Sequence, residues 1–74
     1  MRLLKQYSDV RLGKCDVGDI IQGVYYTAKL EVLEIIDDDP WLEEGQLKYI
    51  CKYIDGIHKG EKRDVYSFQE YYKL

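Results

Sequence analysis

Leu47, Tyr49, Cys51 and Tyr53 alternate with Lys48, Ile50, Lys52 and Ile54 across Leu47–Ile54. That is the period-two pattern of a β-strand. Large apolar groups fall on both of its faces, which predicts a central strand covered on two sides. Ile20–Tyr26 also alternates, with Ile20, Gln22 and Val24 set against Ile21, Gly23 and Tyr25. Gly23 inside it predicts a bulge, a sharp bend or the close approach of other atoms. A further alternating run, Arg63–Phe68, with Ala28–Ile36 completes a predicted antiparallel meander.

Ala28–Ile36 (AKLEVLEII) is ambiguous, because Ala, Leu, Lys and Glu all favour helix. Strand is the stronger reading. Ala28, Leu30 and Val32 alternate with Lys29, Glu31 and Leu33, and a helix would place Asp37, Asp38 and Asp39 at its negative end. The alternation slips at Leu33–Glu34, the position of an expected bulge or bend. Packing together Ile20, Val24, Leu30, Val32, Ile50 and Val65, with Ile36 at the edge, gives the expected core.

The connections carry turn chemistry. Val17-Gly18-Asp19 reads as a turn feeding a strand, and Asp55-Gly56 opens a loop longer than the tightest hairpin. Pro40 predicts a short helical turn capped by Asp39. Ser67 and Glu70 stand at capping-box spacing, so a second helical turn is expected before the last strand. Met1–Tyr7 reads as a short strand or loose arm anchored by Leu3, Leu4 and Tyr7.

The chain has 74 residues, 46% hydrophobic and 34% charged. This makes one small domain, 1–74, with 1–16 as an N-terminal arm or additional strand. A chain this short buries only about 60% of its unfolded surface, so it needs most of its branched and aromatic residues inside. Eight tyrosines against one phenylalanine suit half-buried sheet positions and binding surfaces alike. No apolar run is long enough for a signal peptide or a membrane span, so a cytoplasmic protein is expected. In that compartment Cys15 and Cys51 are expected to be reduced thiols, a disulfide being the alternative if their strands are neighbours. With His58 they lack the spacing of a zinc site.

A net charge of −3 argues against a general nucleic-acid binder. Asp37, Asp38, Asp39, Glu43 and Glu44 crowd the loop around Pro40 and Trp41, without the regular ligand spacing or glycine of a calcium loop. Lys48, Lys52, Lys59, Lys62 and Arg63 then gather around one hairpin. As a structural residue Trp41 folds back over one end of the sheet, the reading of greater weight. As a functional one it is an exposed aromatic in an acidic loop. His58 has no serine, cysteine or carboxylate at a spacing that implies a dyad, so no enzyme, catalytic residue, metal or cofactor is expected.

Val17-Gly18-Asp19, then Tyr26-Thr27-Ala28-Lys29-Leu30 with Leu33-Glu34-Ile35, then Tyr49–Tyr53 with Asp55-Gly56 follow one another in an order that resembles small SH3-like β-barrels. The nearest branch is the Tudor and chromo-barrel group, and the resemblance covers about residues 17–74. It implies a mainly β antiparallel barrel of about five strands, with one helical turn before the last. It also implies binding rather than catalysis, with Tyr25, Tyr26, Trp41, Tyr49 and Tyr53 as candidate rings of an aromatic cage. A small acidic barrel would also suit a viral protein that blocks a host factor in the host cytoplasm.

Two functions follow as expectations. The first is a protein-binding module in which Trp41, Tyr25, Tyr26, Asp37, Asp38, Asp39 and Glu43 meet a basic or modified peptide surface. The alternative is a nucleotide or nucleic-acid binder using Lys48, Lys52, Lys59, Lys62 and Arg63, with tyrosines stacking on bases.

Overall fold

A computed structural model describes residues 11–74. The expectation for Met1–Tyr7 lies outside the described residues. Five strands form one antiparallel sheet: β1 (Ile20–Gly23), β2 (Lys29–Ile36), β3 (Lys48–Tyr53), β4 (Lys62–Tyr66) and β5 (Tyr71–Lys73). Their order is β4-β3-β2-β1-β5, so a four-strand meander is closed by β5 returning beside β1. The protein is mainly β, as the alternation predicts. There is no helix among the described residues, hence none long and apolar enough to cross a membrane.

The ambiguous segment is strand. Leu30 and Val32 are buried while Lys29 and Glu31 are only partly covered. The predicted slip is a bulge: Val32 pairs with Cys51 and Glu34 with Ile50, leaving Leu33 unpaired. The extra residue changes which parity faces inward, and Ile35, not Glu34, then stands opposite the buried Tyr49.

The two expected helical turns are hydrogen-bonded turns instead. Leu42 N–H donates to Asp39 C=O at 3.0 Å, and Gln69 N–H to Tyr66 C=O at 3.0 Å. Neither segment continues far enough to nucleate a helix. Ser67 and Glu70 do not form a capping box. Ser67 Oγ accepts the N–H of Leu47, and the backbone of Glu70 forms an isolated antiparallel bridge with Arg11. At Val17-Gly18-Asp19 the expected turn is present. Gly18 takes φ +97°, a conformation that side chains with a Cβ rarely adopt, and Asp19 closes the turn on Asp16.

The core consists of Leu12, Cys15, Ile21, Leu30, Val32, Tyr49, Cys51, Val65 and Tyr71. Leu30, Val32 and Val65 stand where the sequence places them. Ile20, Val24 and Ile50 do not: each is only partly buried and faces away from the core, whereas Ile36, expected at the edge, is partly buried at the end of β2. Likewise β3 is covered fully on one face, by which Tyr49 and Cys51 reach zero exposure, and only partly on the other. Ile21→Ala is therefore expected to cost about 2–5 kcal/mol, with a smaller loss for Ile50→Ala. Urea midpoints of the two variants test this, and an equal loss would show that both faces are packed alike.

The core is completed by part of the segment expected to be an arm or additional strand. Residues 11–16 run as a strap across it. Leu12 N–H donates to Gln69 C=O at 2.9 Å and Gly13 N–H to Ser67 C=O at 2.8 Å. Tyr49 fixes the strap from beneath: its hydroxyl donates to Gly13 C=O and accepts from Cys15 N–H. A fully buried tyrosine hydroxyl needs such partners, and here both belong to the strap.

Candidate functional site

Two surfaces carry the residues singled out from the sequence, and they lie at opposite ends of β2. Tyr25 and Tyr26 precede its first residue, Lys29; Trp41 and the acidic loop follow its last, Ile36. An eight-residue strand spans about 26 Å. The structure thus does not bring Trp41 together with Tyr25 or Tyr26.

At the first end, Trp41 is 89% exposed and does not fold back over the sheet. Its backbone is nevertheless fixed. Asp39 Oδ1 accepts the Trp41 N–H at 2.8 Å, while Asp39 Oδ2 meets Lys48 Nζ at 3.2 Å. These contacts hold the Asp39 carboxyl below its usual range, the Trp41 N–H first and Lys48 second. A depressed carboxyl contributes order above its unfolded value, and that contribution is lost as pH falls through the folded value. Lys48 in turn is held above the usual lysine range, chiefly by Asp39 with Asp64 adding to it. Asp37, Asp38, Glu43 and Glu44 are exposed around the same loop, and Glu43 N–H donates to Gln46 Oε1.

The five cations of the alternative do not share one surface. Lys48 sits between Asp39 and Asp64, at 3.2 and 3.6 Å. Lys52 pairs across strands with Lys62 on the same outer face as Lys48, and only Lys59 and Arg63 lie off that face. Lys59 lies in the exposed β3–β4 turn. Arg63 pairs with the buried Cys51, so it is directed to the core side of the sheet.

At the second end, Tyr26 and Tyr53 line a pocket of about 220 Å³. Gly23 and the buried Leu30 and Tyr71 lie deep in it, whereas Tyr26, His58 and Arg63 form its exposed rim. Gly23 is what admits the Tyr26 ring, because a Cβ there would lie 2.7 Å from Tyr26 Cδ2. Gln22 Nε2 holds the preceding turn by donating to the carbonyls of Tyr26 and Thr27. His58 stands 5.6 Å from the Tyr53 ring, tilted by 41°, and its Nδ1 meets Glu61 at 3.2 Å.

Of the five rings offered as cage candidates, Tyr26 and Tyr53 come together. Trp41 is at the far end, Tyr25 does not line the pocket, and Tyr49 is wholly buried beneath the strap. Tyr71 and His58 belong to this pocket and the sequence reading missed them there. The sequence reading expects only a last strand there, and the register of Tyr71 opposite Gly23 depends on β5 returning to β1. No protein-family model, curated protein or solved structure matches this chain, so the site rests on its own residues.

Proposed function

We propose that this chain is a non-enzymatic protein-binding module on an SH3-like barrel, engaging a basic partner through Trp41 and the acidic loop around it. The observation that carries the reading is Trp41 itself: a large ring almost wholly in water, on a backbone fixed by Asp39 and Lys48. A pre-ordered aromatic loses little entropy on binding and is the residue type that most often anchors an interface. Asp37, Asp38, Glu43 and Glu44 around it favour the approach of a positively charged surface. The strand order, with the last strand returned beside the first, supports the barrel assignment. Tyr25 and Tyr26 are left out of this surface, since β2 lies between. Arg63 on the opposite face, Lys59 in a separate turn and the pairing of Lys48 with Asp39 and Asp64 weigh against the nucleic-acid alternative.

Affinity capture from a lysate with the parent, Trp41→Ala and the Asp37→Asn/Asp38→Asn pair tests the reading. Trp41→Ala is expected to weaken capture by about thirtyfold or more, as for an interface hot spot, with an unchanged melting temperature. The charge variant is expected to reduce capture chiefly at low salt. Equal capture by folded Trp41→Ala protein overturns the surface. Capture of nucleic acid, lost when Lys59 and Lys62 are replaced, promotes the alternative.

A further inference from the structure

We propose that the pocket formed at one end of the five-stranded sheet binds a small aromatic anion: a planar ring carrying a carboxylate or phosphate, the ring against Tyr26 and Tyr53 and the anion on Arg63. This site is independent of the Trp41 surface. Three observations converge on it.

The first is an uncompensated cation. Arg63 takes part in none of the ion pairs among the described residues. Neighbouring carboxylates are engaged elsewhere: Glu61 meets His58 at 3.2 Å, and Asp64 meets Lys48 at 3.6 Å across the sheet from the pocket. The guanidinium instead donates to the Tyr53 hydroxyl at 3.5 Å and shares the pocket lining with Tyr71. A guanidinium has five donors in a planar fork, and these two neighbours leave donors over for a carboxylate or phosphate. Each tyrosine hydroxyl adds a further donor.

The second is the lining. Leu30, Tyr71 and the rings of Tyr26 and Tyr53 make the lining mainly apolar, with Arg63, the Tyr53 hydroxyl and His58 as its polar groups. That is the usual division in a small-molecule site, where apolar walls take the body of the ligand and few polar groups fix its orientation. A methylated lysine or other cation would meet Arg63 head-on, so the charge in this pocket selects against it.

The third is size. A cavity of about 150 Å³ is enough to hold benzene. This one has about 220 Å³, room for one ring with its acidic substituent and little more. Pockets for drug-sized ligands start at about 300 Å³.

The test uses the full chain and amide-shift titration with phenyl phosphate, benzoate and adenosine monophosphate. Benzamide, which has the ring without the charge, and inorganic phosphate, which has the charge without the ring, are the controls. Saturable shifts at millimolar phenyl phosphate or benzoate are expected, confined to Gly23, Ala28, His58, Arg63 and Tyr71, with both controls at least about tenfold weaker. Binding of the monophosphate as tightly as phenyl phosphate would place the source among nucleotides; its exclusion would restrict the pocket to single-ring anions. Arg63→Gln should weaken binding about tenfold or more, and Arg63→Lys should restore part of it. Tyr26→Ala, a change at an exposed ring outside the core, should weaken it as well. The proposal is overturned if no ring-bearing anion saturates, if benzamide matches benzoate, or if Arg63→Gln binds like the parent.

Discussion

Tyr49→Phe is expected to destabilise the protein by about 1–3 kcal/mol, the cost of leaving buried hydrogen-bonding groups without partners. The ring would still fill its place, so the loss isolates the hydroxyl. That hydroxyl ties the strap to the core by donating to Gly13 C=O and accepting from Cys15 N–H. In a domain this small each kcal/mol lowers the melting temperature by about 4–8 °C. Tyr49→Ala adds the loss of a fully buried ring, about 3–5 kcal/mol by analogy with other aromatics. At roughly 0.05–0.15 kcal/mol per residue, the whole domain has about 4–11 kcal/mol to lose. The alanine variant is therefore expected to be largely unfolded at room temperature. Circular dichroism melts of the three proteins decide the matter. A Tyr49→Phe midpoint equal to the parent's would show that the strap is held by its backbone hydrogen bonds and the packing of Leu12 and Cys15, without the hydroxyl.

Native Cys51 should react with a thiol reagent at least about a thousandfold more slowly than in the urea-unfolded chain. Two effects act together. The side chain has zero exposure, so the reagent must wait for opening. Burial, with smaller contributions from Cys15 and Asp64, also pushes the thiol from 9.0 up to about 12. At pH 8 a thiol of that kind is about one part in ten thousand thiolate, and the thiolate is the nucleophile. The same shift has a consequence for stability. The folded state holds the proton more tightly, so the contribution is fully present below pH 9.0 and is lost as pH rises towards about 12. The urea midpoint should fall over that interval, and fall less steeply in Cys51→Ala. Labelling of the native protein at the unfolded rate would show that Cys51 is accessible.

Much of the backbone was legible in short windows. The strands are runs whose alternation survives without reference to the rest of the chain, and the bulge announces itself where that alternation slips at Leu33–Glu34. The turn at Gly18 and the Asp39 cap of Trp41 are also local, since the groups that meet are three residues apart or fewer. For the same reason the Trp41 loop could be picked out as a candidate surface. Helical turns at Pro40 and Ser67 were not realised. A cap and a favoured first residue start a helix, but the residues that follow must extend it, and here one turns towards Lys48 and the other towards Leu47.

What the chain left open was which face of each strand turns inward. On Lys48–Tyr53 both parities are apolar, so period-two patterning cannot choose between Ile50 and the pair Tyr49 and Cys51. The choice falls to Tyr49 and Cys51 because Val32, Ile35 and Val65 stand on that side and residues 11–16 cover it. The pocket is a still more distant consequence. Gly23, Leu30, Tyr53, Arg63 and Tyr71 come from five different strands, and none signals the others in sequence. Only the pairing of Gly23 with Tyr71, Leu30 with Tyr53 and Cys51 with Arg63 sets them at one end of the sheet. The sequence by itself thus determined where the chain is extended and where it turns, because those preferences act between near neighbours. The tertiary structure decided what is inside and which side chains converge, because both depend on pairings between residues far apart in the chain.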